Sequence, residues 1–144
     1  MRTPILLASI VTVGFATACA NASGYGSGES GEAGHGGPGG DYRLVSDLVA
    51  LPDFIPGMGR LYVQPETLPA GPFIAHDHDG DHVSTIYMIP LDDMNAGKNW
   101  RALEARGRAV RTVDVAYNPG HPGVAEPHYH VTLWHVARSE VDLD

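Results

Sequence analysis

From Ala20 to Asp41 the chain is dominated by glycine, with Ser, Glu and one proline, and it shows no apolar periodicity. Such a stretch cannot bury enough surface to offset the entropy of ordering itself. It is expected to be a leash spanning roughly 25 Å on average, and it confines any folded core to residues 42–144 of the 144-residue chain. About 100 residues hold one core and no more. His35 lies inside the leash and is read as a solvated side chain.

The segment before the leash gives an address. An apolar run from Pro4 to Phe15 follows Arg2 and is shorter than the ~20 residues a membrane span needs. A basic start, an apolar stretch and small residues at the break mark a secretory signal. Ala16-Thr17-Ala18-Cys19 has the form of a bacterial lipobox, and Cys19 is the lone cysteine. It cannot make an internal disulfide, and it needs no partner if it carries a diacylglycerol. The expected organisation is a lipoprotein-type signal peptide over 1–18, a lipidated Cys19 with its linker to 41, and a globular domain over 42–144. The membrane is then a partner through the lipid anchor at Cys19, and the location is the cell envelope. By resemblance to sorted lipoproteins, Ala20 implies the outer membrane in a diderm bacterium. Cleavage after Ala18 or Ala20 by an ordinary signal peptidase would instead release a periplasmic or secreted protein. Asn21-Ala22-Ser23 matches a glycosylation sequon, which such a bacterial signal makes a chance match.

Loss of Arg2 with the signal leaves eight basic against seventeen acidic side chains, a net charge of −9. A domain so acidic, with no basic patch, does not seek nucleic acid or anionic lipid.

The domain reads as α+β: a mainly antiparallel β-sheet with one short helix. Strands are expected over Arg60 to Gln64, Pro72 to Asp77, Asp81 to Ile89, Ala109 to Tyr117 and His128 to Val136. Asp79-Gly80 between two apolar runs signals a hairpin, since both residues tolerate positive φ. With a two-residue turn there, His78 would face Asp81 and Asp77 would face His82. Met94 to Arg106 is expected to contain the helix: Trp100 and Leu103 share a face and Gly107 suits its C-cap.

Seven of the eight histidines fall into two segments. In the C-terminal one, Asn118 to His135, side chains alternate along a strand, so His128 and His130 point the same way and His135 the other. Glu126 shares the parity of the pair, and His121 in the preceding loop can fold back. A transition-metal ion such as Zn, Cu or Fe held by His128, His130 and either His121 or Glu126 would be ordinary chemistry. The rival reading is a polar cluster or hydrogen-bonded core histidines. The other segment, His76 to His82, alternates acids and histidines over the hairpin tip and reads as a solvated turn. Its D-x-D-G-D lacks the later Glu of a calcium loop. No G-x-S-x-G, free catalytic cysteine or phosphate-binding loop is present.

Pro127-His128-Tyr129-His130 resembles the metal-binding strand of cupins. That likeness covers His128 and His130 alone, because the further Glu does not fall at cupin spacing, and a cupin barrel is not expected. Gly57-Met58-Gly59, Asp77-His78-Asp79-Gly80, Tyr87-Met88-Ile89-Pro90 and Pro127-His128-Tyr129 together resemble a family of small exported bacterial domains of unknown function. The likeness spans nearly the whole domain. It implies an exported single-domain protein and no particular reaction. Three functions are therefore expected to compete. The first is a lipid-anchored domain that binds a transition metal at the C-terminal histidines. The second is a metal-dependent enzyme at the same residues with Glu126 as general base. The third is a structural envelope module without metal, whose strand edges pair with copies of itself as a homo-oligomer or with an envelope protein partner.

Overall fold

The computed structural model describes residues 37–144. The signal segment, Cys19, the Asn21 sequon and most of the leash with His35 lie outside the described residues. The domain is an antiparallel sheet of six strands with one short helix. The strands are β1 (Arg43–Leu44), β2 (Arg60–Val63), β3 (Phe73–His76), β4 (His82–Pro90), β5 (Thr112–Asn118) and β6 (His128–Trp134). Their order across the sheet is β1-β2-β3-β4-β6-β5. β1 to β4 form a meander of neighbours. The chain then leaves β4, crosses the sheet and returns as the outer strand β5, and β6 fills the gap between β4 and β5.

Side-chain alternation sorts the sheet into two faces. One carries Leu61 and Val63 of β2, Phe73 and Ala75 of β3, Ile86 and Met88 of β4, and Trp134 of β6. These side chains are buried, and Val45, Val124 and Leu143 pack over them. The register Met88↔His130 and Pro90↔His128 places both histidines on this same core face. The opposite face carries Ile74, Thr85, Tyr87 and Ile89, all buried. The segment between β4 and β5 lies over part of it: Tyr87 Oη donates to the Glu104 carbonyl at 2.8 Å. On β5, Val113, Val115 and Tyr117 are exposed.

Two sequence expectations are corrected here. The helix, α1, covers Leu91–Asn95 and not the Trp100–Leu103 region. Gly97, Ala102 and Arg106 all have positive φ, which breaks any helix through that stretch. Its polar backbone is held by the sheet instead, as the Tyr87 bond to Glu104 shows. The hairpin loop holds five residues, 77–81, and not two, so His76 rather than Asp77 pairs with His82. The Asp77 carboxylate folds the loop by accepting from the Asp79 and Asp81 N–H groups at 3.1 and 2.8 Å. The register then shifts between Ala75 and His76, as in a bulge.

Candidate metal centre

Three elements of local structure bring the C-terminal histidines together. Pro127 precedes β6, and the main chain at that point is tied to the start of α1, where Leu91 N–H donates to the Pro127 carbonyl at 2.9 Å. His128 and His130 then follow as alternate residues on the core face. Between β5 and β6, His121 and Val124 bond reciprocally, with N···O distances of 2.8 and 3.0 Å. Pro122 and Gly123 occupy the centre of this turn, Gly123 at φ 90°, which is the pairing a type II turn requires. The turn buries Val124 against the core and swings His121 back over β6.

Gly123 sits so close to Val49 that a Cβ would lie 2.5 Å from its Cγ1. Positive φ adds strain for any side chain. Gly123→Ala is expected to destabilise the domain by about 1–3 kcal/mol, measured as a lowered denaturation midpoint, and to weaken whatever His121 binds.

The three imidazoles form a compact group. Ring centroids lie 4.9 Å apart for His121–His128 and for His128–His130, and 5.5 Å for His121–His130. One nitrogen from each ring lies within 4.8 Å of the others, close enough to hold a metal ion. His128 is fully buried. Its Nδ1 lies 2.7 Å from the Glu126 carbonyl and that of His121 lies 2.9 Å from the Pro122 carbonyl. Carbonyl oxygens only accept, so both Nδ1 atoms carry the proton, and Nε2 is the atom that offers a lone pair when the ring is neutral. Metal-binding histidines are oriented in the same way, with the far N–H given to a carbonyl or carboxylate. His130 Nε2 stands 3.0 Å from His128 Nε2 and, without an ion, donates to it. Burial, then the neighbouring His128 and His121, push His130 down to about 4. The ring is therefore neutral, as a ligand must be.

Nitrogens around a tetrahedral ion at 2.0–2.1 Å stand roughly 3.3 Å apart. The strand pair already meets that spacing, and His121 has at most about 1.5 Å to close. Glu126, expected from its parity to be a rival ligand, is exposed and is not in the group. Pro127 separates it from β6, and it serves the site through its backbone carbonyl. Among the described residues no carboxylate joins the three histidines.

The hairpin histidines are used differently. His76 is buried with its ring 5.9 Å from His82, and His82 lies 4.6 Å from His135 on the face opposite the triad. His135 Nδ1 donates to the Ala109 carbonyl at 3.0 Å, and its Nε2 accepts from the Thr85 hydroxyl at 2.9 Å. His82 Nε2–H donates to the Ser84 carbonyl at 3.0 Å and to Thr85 Oγ1 at 3.2 Å. Every proton in this chain has a direction, and the chain ties β4 to the segment before β5. Thr85 and His135 lie fifty residues apart, and a single sequence gives no sign that they meet. His78 stays exposed, stacked on Phe54 at 3.7 Å.

Burial, then His135, with smaller effects of Arg108 and His76, lowers His82 to about 4, while the Ser84 carbonyl opposes them. The unfolded ring binds a proton below about pH 6.5, and the folded one does so only below about 4. Unfolding therefore takes up a proton within that window, and stability falls as pH drops through it. The loss at His82 should reach about 1–2 kcal/mol by pH 4, the ring being partly screened by solvent. His130 is lowered in the same way and adds a loss of the same sign, so the His82 share is measured as the difference in denaturation midpoint between the parent and His82→Gln from pH 7 to 4, the variant having the flatter slope.

No protein-family model matches the chain, and no curated protein matches it. The crystal structure of hypothetical protein TTHB210 from Thermus thermophilus is similar. The match has 40% sequence identity and a TM-score of 0.55, and it covers 64% of this chain and 87% of that one.

Proposed function

We infer that this chain, which belongs to the same family as TTHB210, is a small transition-metal-binding domain whose ligands are His121, His128 and His130. The observation that carries the reading is the shared orientation of the rings. Two of them give Nδ1–H to backbone carbonyls, which leaves Nε2 as their ligand atom, and one nitrogen from each of the three lies within 4.8 Å of the others. A hydrogen-bonded pair of core histidines accounts for His128 and His130, and the metal reading adds a reason for His121 to close on them. Three neutral imidazoles suit Zn, Cu or Fe. Three protein ligands leave a fourth position for water or another molecule.

The domain works as a binding module, with the Glu126 carboxylate outside the ligand group. The lipobox at Ala16–Cys19 supports the further reading that it is carried outside the cytoplasm on a lipid anchor. Isothermal titration of zinc into the untagged protein tests the metal reading. One equivalent should bind, and the denaturation midpoint should rise with free zinc as the linkage of binding to folding requires. A protein that takes up no zinc, or takes it up equally as His121→Ala, is not this metal binder.

A further inference from the structure

A cavity of about 200 Å³ is lined in part by His121 and His130. Ile55, Met58, Leu61 and Phe73 supply much of its apolar wall, and Asn118, His121 and His130 are its polar residues. A cavity of this size, walled by apolar side chains beside the ligand set, can receive a small molecule. We propose that this cavity receives the apolar body of a small organic anion whose charged head completes the coordination of the metal, an aromatic or short aliphatic monocarboxylate of about the size of benzoate. The proposal rests on the metal reading above.

Three observations select that chemistry. First, His121 and His130 belong both to the ligand group and to the cavity wall. A molecule bound at the open coordination position therefore has the cavity for the rest of its body. Second, the ligand group contains three imidazoles and no carboxylate. A divalent ion held by neutral ligands keeps its full charge and favours an anionic fourth ligand over a neutral one. Third, size and lining suit the body. An apolar cavity of 150 Å³ holds benzene, so about 200 Å³ has room for one ring or a chain of similar bulk. Asn118 Oδ1 accepts from the Gly120 N–H at 2.9 Å, which leaves the amide NH₂ as the donor that Asn118 can offer a carboxylate.

Cobalt-loaded protein tests the proposal, because Co²⁺ replaces zinc in a histidine site and its visible spectrum reports the fourth ligand. Benzoate and acetate present the same head group and differ in the body. Benzoate should shift the spectrum with an affinity roughly 100-fold above that of acetate, the ring being buried in the cavity. Ile55→Trp, which fills the cavity from its wall, should keep Co²⁺ affinity and lose that preference. Equal affinities for the two anions would overturn the proposal and leave the metal reading standing. An undiminished preference for benzoate in folded, cobalt-loaded Ile55→Trp would do the same. Failure of Co²⁺ to bind at His121, His128 and His130 would overturn both. The comparison of the two anions needs no variant, so it decides the matter even if Ile55→Trp does not fold.

Discussion

His128→Ala should reduce metal affinity at least ~100-fold and lower the stability of the metal-free domain by about 2–4 kcal/mol. The first effect follows from sharing a metal-binding free energy of about 10–16 kcal/mol among its ligands, which makes each worth a few kcal/mol. The second follows from position. His128 is fully buried, and its removal leaves a void and orphans the Glu126 carbonyl that its Nδ1–H satisfied at 2.7 Å. His121→Ala separates the two effects. It sits half-buried on a turn and should lose metal binding to a similar extent while keeping a denaturation midpoint near that of the parent. Zinc titrations of both variants, paired with urea denaturation without metal, give the comparison. Retention of parental affinity by either variant would remove that residue from the ligand set.

Phe73→Ala should cost about 3–5 kcal/mol. Phe73 is 1% exposed at the start of β3, paired with Val63 on one side and Ile86 on the other. It belongs to the main core and lines the cavity beside the histidines. A substitution that merges with a space already present cannot be relieved by collapse of the neighbours, so the upper part of the range is expected. A domain of this size has a total stability of about 5–15 kcal/mol. The variant should therefore be partly unfolded at moderate temperature, visible as a lowered midpoint in urea. A cost under about 1.5 kcal/mol would mean that Phe73 is not a principal support of the sheet's inner face.

Much of the sheet was legible in the sequence because strands announce themselves locally. Alternation places Leu61 and Val63, or Ile86 and Met88, on one face, and turn residues bound the runs. The same period of two put His128 and His130 side by side and sent His135 to the other face, where it bonds to Thr85. Trp100 and Leu103 have helical spacing, yet positive φ at Ala102 and Arg106 and the tertiary contacts of 98–106 override it, and the helix lies at Leu91–Asn95. The donor that captures the Glu104 carbonyl is Tyr87, seventeen residues away. The pairing of His76 with His82 was misread for a different reason. Asp-Gly predicts a two-residue turn, but the Asp77 side chain caps a wider one. The cavity was invisible because a void is a property of several segments at once, from Ile55 to His130. The choice between His121 and Glu126 was open for a similar reason. Pro122-Gly123 folds His121 back towards the pair, and Pro127 sets Glu126 outside β6.

Anomalous X-ray scattering at the zinc edge directly locates an ion held among the three rings. In crystals of the untagged protein grown with zinc, a single strong peak should lie 2.0–2.1 Å from one nitrogen each of His121, His128 and His130, with a fourth position taken by a non-protein atom. A zinc-soaked crystal with no peak there, and with His128 Nε2 still bonded to His130 Nε2, would contradict the metal reading.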